Sequence, residues 1–554
     1  MPTTLPSYPR DPGRRWSLIA AGAILVTATV ATQAAAQPTK PPRRLPVYTV
    51  SKAGLTADEG TRLQRAFGLK NIAVDEAGVA RFLDQEGFLK VPTVAVPPQD
   101  VKHEEGEDSK PLFEAFDVDA IRRIKVPDAK YALAAAAKSL RAAKLLPEGA
   151  QAVATPTRIE IVDAQGKGLA DQALDIAVSY RFKLGRLPLE GPGAKVRVAY
   201  GPNAEVTQLI VATRRLVAAG QVAVVDDQQG RKRCADWLDG EQPAGRKVVA
   251  ADLAYYAPPL SEKIKRLTPS YRCRLQDESG AVSQVFFVPA AVDAKRPPRP
   301  EPQPPRKAEG AQAAPRSIGR VDVGSEGTGP CSGLPCTGTN VAGFNNRMSS
   351  AGVPVQFTWL DANAWEDDWK DPSLGGHDSD WVDDVDMAYW QGHGWPFGFS
   401  FSGCSSIDDA SLVNTDARWG NRDAEWMSLF TCLVLAEEDG GQRWWQRWGP
   451  TFQGLHQINS FHTVSYHSCQ HGGIYADYLM RTPFLWWNQP LKVREAWAQT
   501  AIDDQPADVV WASMGPIGAG GLVNYNDYFW GKGAVGPDVP PGQITGYWRL
   551  SGGS

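Results

Sequence analysis

The chain has 554 residues, is 43% apolar and 22% charged, and carries a net charge of −4. That length exceeds what one hydrophobic core organises, and no dense Lys/Arg stripe is present, which argues against a nucleic-acid partner. The charge is divided: from Val341 onward 25 acidic residues face 11 basic ones, leaving +10 on the preceding part, and 17 of the 19 tryptophans lie at or after Trp359. At least two different bodies are expected.

Residues 1–36 read as a signal peptide. Arg14-Arg15 precede an apolar stretch that ends in small residues at Ala34 and Ala36, before Gln37. That is the order basic region, apolar region, A-x-A cleavage site. A twin-arginine signal and a retained membrane anchor are the alternatives. No later stretch reaches the roughly 18 apolar residues that a spanning helix needs. The expected product is secreted or periplasmic, without stable membrane insertion after cleavage.

Residues 37–155 read as a helical N-terminal region. Thr56 and Glu59 have capping-box spacing before Leu63, Ala66 and Phe67, with Gly68 as a stop. "EAGVARFLDQEG" and "AKYALAAAAKSLRAAKLL" are the second and third expected helices. Over 156–293 the pattern turns to α+β. "AKVRVAYGPNAEVTQLIVATRRL" alternates, turns at Gly201-Pro202-Asn203 and returns, which predicts a hairpin. The stretch "LPLEGPGAKVRVAYGPNAEVTQL" resembles the propeptide-type FTP/PepSY domains of secreted bacterial peptidases. That resemblance implies a hairpin backed by a helix, and a prosegment contacting the attached enzyme within the chain. Residues 294–317, "AKRPPRPEPQPPRKAEGAQAAPR" and one more, are a Pro-rich linker.

In an oxidising compartment seven cysteines leave one over. The expected pairs are Cys234–Cys273, Cys331–Cys336 and Cys404–Cys469, which leaves Cys432 as a thiol.

Residues 318–554 read as an α/β domain with a mainly parallel sheet and flanking helices. The candidate strands are "PVQFTWL", "VDDVDMAYWQGHG", "EWMSLFTC", "LHQINSF" and "DVVWASMG", with helices at "GGIYADYLM" and "LKVREAWAQTAID". Spacings of this size fit helical crossovers. In such sheets sites form beyond the carboxyl ends of the strands, where His393 and Cys432 each stand.

An apolar strand ending in His-Gly, then an apolar strand ending in Cys, resembles the caspase–gingipain–legumain class of cysteine peptidases. The signature "DDVDMAYWQGHGWPFG … GNRDAEWMSLFTCLVL … GLHQINSFHT" also resembles a bacterial family of unknown function held to share that fold. The resemblance implies Cys432 as nucleophile, His393 as acid/base, and the N–H groups of Gly394 and Cys432 as oxyanion donors. It implies a cysteine peptidase acting on a peptide or protein substrate, with neither metal nor cofactor. Trp395 and Glu437 are candidates to line the cleft. The sequence departs in "CLVL", which puts bulk where those peptidases often carry glycine or a small residue.

Other readings compete. Cys432 with His456 or His462 would follow the papain order. His462, His467, Cys469 and His471 would offer a zinc set. "HDSDWVDD" suggests calcium, but it lacks the EF-hand loop pattern and reads as a hydrated approach to a strand. The tryptophans, Trp365, Trp369, Trp395, Trp419, Trp444, Trp445, Trp448, Trp486 and Trp487 among them, suit either a core or the face of a catalytically inactive binding protein.

Overall fold

The computed structural model describes residues 43–98, 110–238, 247–276, 282–295, 321–401, 409–483 and 488–554. The signal peptide, most of the linker, Cys404, Trp486 and Trp487 lie outside the described residues, as does the side chain of Cys331.

In chain order the main elements are α1 (Ala57–Phe67), β1 (Ala80–Leu83), α2 (Ala129–Ala142), β2 (Gln151–Asp163), β3 (Gly168–Leu184), β4 (Leu187–Glu190), β5 (Lys195–Tyr200), β6 (Val206–Ala212), α3 (Asp227–Leu238), β7 (Lys247–Tyr256), β8 (Pro269–Gln276) and β9 (Val282–Pro289). They continue with β10 (Val323–Gly327), α4 (Thr337–Ser350), β11 (Val355–Leu360), β12 (Met387–Gln391), β13 (Trp426–Phe430), β14 (Gln457–Phe461), α5 (His471–Leu479), α6 (Val493–Asp504), β15 (Val510–Ile517) and β16 (Gly546–Gly553).

The fold is α/β around one large mixed sheet. Strands β11, β10, β12, β13 and β14 lie side by side and parallel. From β14 the sheet continues antiparallel through β15, β16, β2, β3, β5, β6 and β1. The expectation of a mainly parallel sheet is therefore corrected. "DVVWASMG" is a strand, but Ile458 pairs with Met514 in the opposite sense. The connection includes helix α6, yet it returns the chain reversed. A second sheet branches from the far end of β3, through β4 to β7, β8 and β9.

The parallel strands read as unbroken apolar or small runs because both faces are covered. Every residue of β12, β13 and β14 is buried. Met387, Tyr389 and Phe430 face a core built with α4, α5 and α6, where Phe344 stacks on Tyr389 at 4.7 Å. Ala388, Trp390 and Leu429 face the other way, into a core holding Trp369, Trp419, Trp444 and Trp448. Among the described residues that second face is covered by 3₁₀ turns, loops and the short helix Trp444–Trp448, not by long helices. Large indole rings fill the layer that helices fill on the first face, which explains the uneven tryptophan count. Trp369 donates its N–H to Glu326 Oε2 at 2.9 Å and Trp419 to the Trp369 carbonyl at 3.0 Å.

The N-terminal expectations fare unevenly. The Thr56–Glu59 capping box forms and Gly68 closes α1 at φ 67°. The hairpin β5–β6 forms, with Leu63 of α1 and Leu140 of α2 in its core. "EAGVARFLDQEG" is not a helix. Gly78 takes φ 84° in a turn after Asp75, and Ala80–Leu83 extends as β1 to cover the open edge of β6. Arg44–Ala53 is likewise a strand, paired with Arg214–Ala223.

The basic and acidic parts of the chain share this architecture. β16 pairs with β2 from Gly546↔Asp163 to Ser551↔Arg158, and one core holds Ile159, Ile161 and Val285 together with Trp511 and Trp548. Ion pairs such as Arg81–Asp503 at 3.0 Å only decorate this seam. Charge attraction screened by salt is thus not what joins the two parts. With a protease site engineered between residues 300 and 315, the two cleaved pieces should co-elute in gel filtration even in 1 M NaCl. Their separation at high salt would mean that charge carries the seam.

Candidate active site

The site is built by a register. Met387 pairs with Trp426 and so on to Gln391 with Phe430, each partner lying 39 residues further on. The Gly392 N–H still reaches the Phe430 carbonyl, at 3.4 Å. The same offset, continued two residues past the last ladder pair, brings position 393 level with position 432 beyond the carboxyl ends of adjacent parallel strands. A Cβ at Gly394 would collide with Thr431 Oγ1 and lie 2.9 Å from the Cys432 carbonyl. The glycine of the His-Gly pair is therefore what lets the two chain segments approach.

His393 is 3% exposed and begins a short strand, His393–Trp395, paired with Gly398–Ser400. Its Nε2 lies 2.8 Å from the Ser332 carbonyl, so that nitrogen carries the proton. In the neutral ring Nδ1 is then the acceptor. Cys432 is 5% exposed and is a thiol, not half of a disulfide. Its Sγ receives the Ser465 N–H at 3.3 Å and lies 3.6 Å from the Ser465 carbonyl and hydroxyl.

The bulk of "CLVL" turns away from this rim. Val434 and Leu435 are buried in the Trp-rich core. Leu433 adopts φ 65°, the left-handed region that a glycine occupies without strain. Trp395 is half-buried at the end of its strand. Glu437, Glu438 and Asp439 are exposed, with Glu437 3.4 Å from Arg443.

The N-terminal part reaches the same rim. Val285 of β9 forms a parallel bridge to Tyr466, the residue after Ser465, and Phe287 lies 5.9 Å from the Tyr466 ring. Strand β9 packs alongside His393–Trp395. This neighbour was not legible in the sequence.

Two cysteine pairings are corrected. Cys234–Cys273 forms as expected, but Cys336 is bonded to Cys469. Neither Cys331–Cys336 nor Cys404–Cys469 therefore exists. The cause is helix packing: Cys336 caps the start of α4, Cys469 precedes α5, and these helices pack together on one face.

The pair of Cys432 with His456 and the zinc set do not assemble. His456 stands at the amino end of β14, at the opposite end of the sheet from Cys432, between Asp527 (2.6 Å) and Asp538 (3.0 Å). Burial works against its charge, but the two carboxylates prevail and raise its pKa to about 9. The proposed zinc donors are each engaged elsewhere. His462 accepts from Arg549, His467 accepts the Cys336 N–H at 2.9 Å, Cys469 is oxidised, and His471 stacks on Phe430 at 4.1 Å. Burial takes His462 and His467 down to about 4, so both stay neutral.

The "HDSDWVDD" run is not a hydrated approach. Asp378 and Asp383 are fully buried. Burial, then repulsion from Asp383 and Asp371, pushes Asp378 up to about 9.

Residues 325–552 match the model of a family described as a domain of unknown function (DUF6345). The match takes in both His393 and Cys432. No curated protein matches the chain. Among solved structures, the chain is similar to an uncharacterized protein from Eubacterium rectale ATCC 33656. The two are 9% identical, the match covers 47% of this chain and 86% of that one, and the TM-score is 0.23. So slight a likeness carries no argument.

Two predictions follow from these contacts. Gly394→Ala should cost about 1–3 kcal/mol through overpacking, read as a lower urea midpoint at an unchanged m-value. Asp378 binds its proton more tightly folded than unfolded, so its contribution to stability is complete below about pH 4 and is lost as pH rises towards 9. Asp378→Asn should therefore melt near the wild-type temperature at pH 4 and several degrees above it at pH 8. A gap that does not widen with pH contradicts this assignment.

Proposed function

We propose that the protein is an exported cysteine peptidase in which His393 and Cys432 form a catalytic dyad. The single observation that supports this reading is the 39-residue register of the strands that precede His393 and Cys432, with a Cβ at Gly394 falling 2.9 Å from the Cys432 carbonyl. Nδ1 of His393 takes the thiol proton while the Ser332 carbonyl holds the opposite ring edge. The Ser465 N–H aimed at Sγ favours the thiolate. The thiolate adds to a peptide carbonyl, and the N–H groups of Gly394 and Cys432 receive the oxyanion. The imidazolium then protonates the leaving amine. Water, activated by the same ring, releases the acyl group and restores the thiol.

Export is supported by the signal-like leader and by the disulfides Cys234–Cys273 and Cys336–Cys469. Among the described residues no helix is long and apolar enough to cross a membrane. The N-terminal part acts as a prosegment: β9 lies along the rim and keeps the dyad latent. The burial of both reacting groups also favours a second reading, a catalytically inactive binding protein on the same scaffold.

Iodoacetamide labelling of the folded chain, with the modified residue mapped, separates the two. The dyad predicts modification of Cys432 that slows at least tenfold in His393→Ala and speeds several-fold in Phe287→Ala, which loosens β9. A Cys432 thiol that is inert in all three proteins leaves only the binding reading.

A further inference from the structure

Beside the seam, β2, β3 and β16 border a cavity of about 620 Å³, within the range of about 300–1,000 Å³ usual for small-ligand sites. Four arginines line it: Arg122, Arg158, Arg443 and Arg549. Three of them have acidic partners. Arg158 meets Asp171 at 2.7 Å, Arg443 meets Glu160 at 2.7 Å and Glu437 at 3.4 Å, and Arg122 meets Asp119 at 3.3 Å.

Arg549 differs. It is only 4% exposed, and among the described residues no carboxylate lies within 4 Å of its guanidinium. Nε and Nη2 donate to the Leu435 carbonyl at 3.2 and 3.0 Å, and Nη2 also donates to His462 Nδ1. Those acceptors are neutral, since burial keeps His462 uncharged. Nη1 has no acceptor among the described residues, and the side chain lines the cavity. A buried cation without a counter-ion is costly. Burial accordingly pulls its pKa down to about 10, against the pull of Glu160 and Glu437.

We propose that this cavity binds a singly charged carboxylate, presented as the C-terminus of a short peptide, on Arg549. The charge on the walls selects the class. Asp119, Asp171, Glu160 and Glu437 are already taken up by Arg122, Arg158 and Arg443, so Arg549 is the one guanidinium of the cavity with no carboxylate against it among the described residues, and the walls as a whole carry no excess positive charge. A phosphate dianion there would meet Glu160, Asp171 and Glu437 as well, and be repelled. A carboxylate oxygen accepts from the open Nη1 in a charge-assisted hydrogen bond, while the wall carboxylates accept the N–H groups of the peptide behind it. The proposal does not depend on Cys432 being a nucleophile. It does place a ligand on the arginine that holds the carbonyl of Leu435, three residues beyond that cysteine.

Isothermal titration calorimetry of the full chain at low ionic strength, with tri-alanine, tri-alanine amide and inorganic phosphate as probes, tests it. Tri-alanine should bind at least tenfold more tightly than either other probe. Glu437→Gln, at an exposed position, should tighten tri-alanine several-fold by removing a repelling charge. Arg549→Gln should abolish the preference for acid over amide. Should that variant fail to fold by near-UV circular dichroism, Arg158→Gln decides instead: it frees Asp171 and should weaken tri-alanine several-fold. Equal affinity for acid and amide, no binding of either, or tighter binding of phosphate would overturn the proposal.

Discussion

The pairing of Met387–Gln391 with Trp426–Phe430 at a constant offset is the constraint on which the site depends. In a parallel pair the side-chain period is two, so a slip by one residue would turn every side chain to the other face. Here both faces are committed: Tyr389 belongs to the helix-backed core and Trp390 to the indole core. Two differently built cores thus hold the strands in register. The register carries past the strand ends to His393 and Cys432, and Gly394 keeps the segments close. Ser332 and Ser465, from loops after β10 and β14, then meet the ring and the thiol. Four neighbouring parallel strands therefore each deliver one part of the arrangement at the same end of the sheet.

The N-terminal part completes that sheet. The ladder between β16 and β2 makes β2 and β3 a continuation of the C-terminal strands, and α6 is buried along its whole length between the two parts. Lys195 of β5 donates to the carbonyls of Ile502 and Gln505 at the end of α6, where burial pulls its pKa down to about 7. An attachment of this kind makes the N-terminal part an integral layer of the sheet. On the proposed reading, exposing the thiol is a matter of moving β9, a strand in the branched second sheet, without dismantling the main one.

Much of the site was legible because its signals are local. Apolar runs ending in His-Gly and in Cys mark two buried parallel strands, and a spacing of 39 residues suits one crossover. Thr56–Glu59 and Gly201-Pro202-Asn203 specify a helix start and a hairpin by short-range chemistry. What stayed hidden depends on distant partners. β10 reads "VGSEG", with no β pattern of its own, and is a strand because strands on both sides claim it. "VARFL" fits a helix period and a strand period alike, and the open edge of β6 decides. The Cys336–Cys469 bond follows from the meeting of two helix ends 133 residues apart. The antiparallel sense of β15, the burial of Asp378 and Asp383 and the reach of β9 to the rim are likewise tertiary facts.

The central claim is that His393 and Cys432 occupy neighbouring positions at one rim. The most direct measurement is cross-linking: His393→Cys, oxidised mildly while folded and mapped by mass spectrometry. Neighbouring positions on adjacent strands fall within the Cα separation of roughly 4.4–6.8 Å that a disulfide spans. A bond between the introduced thiol and Cys432, with Cys336–Cys469 intact, is the predicted result. An introduced thiol that stays reduced or bridges elsewhere, beside an unmodified Cys432, would contradict it.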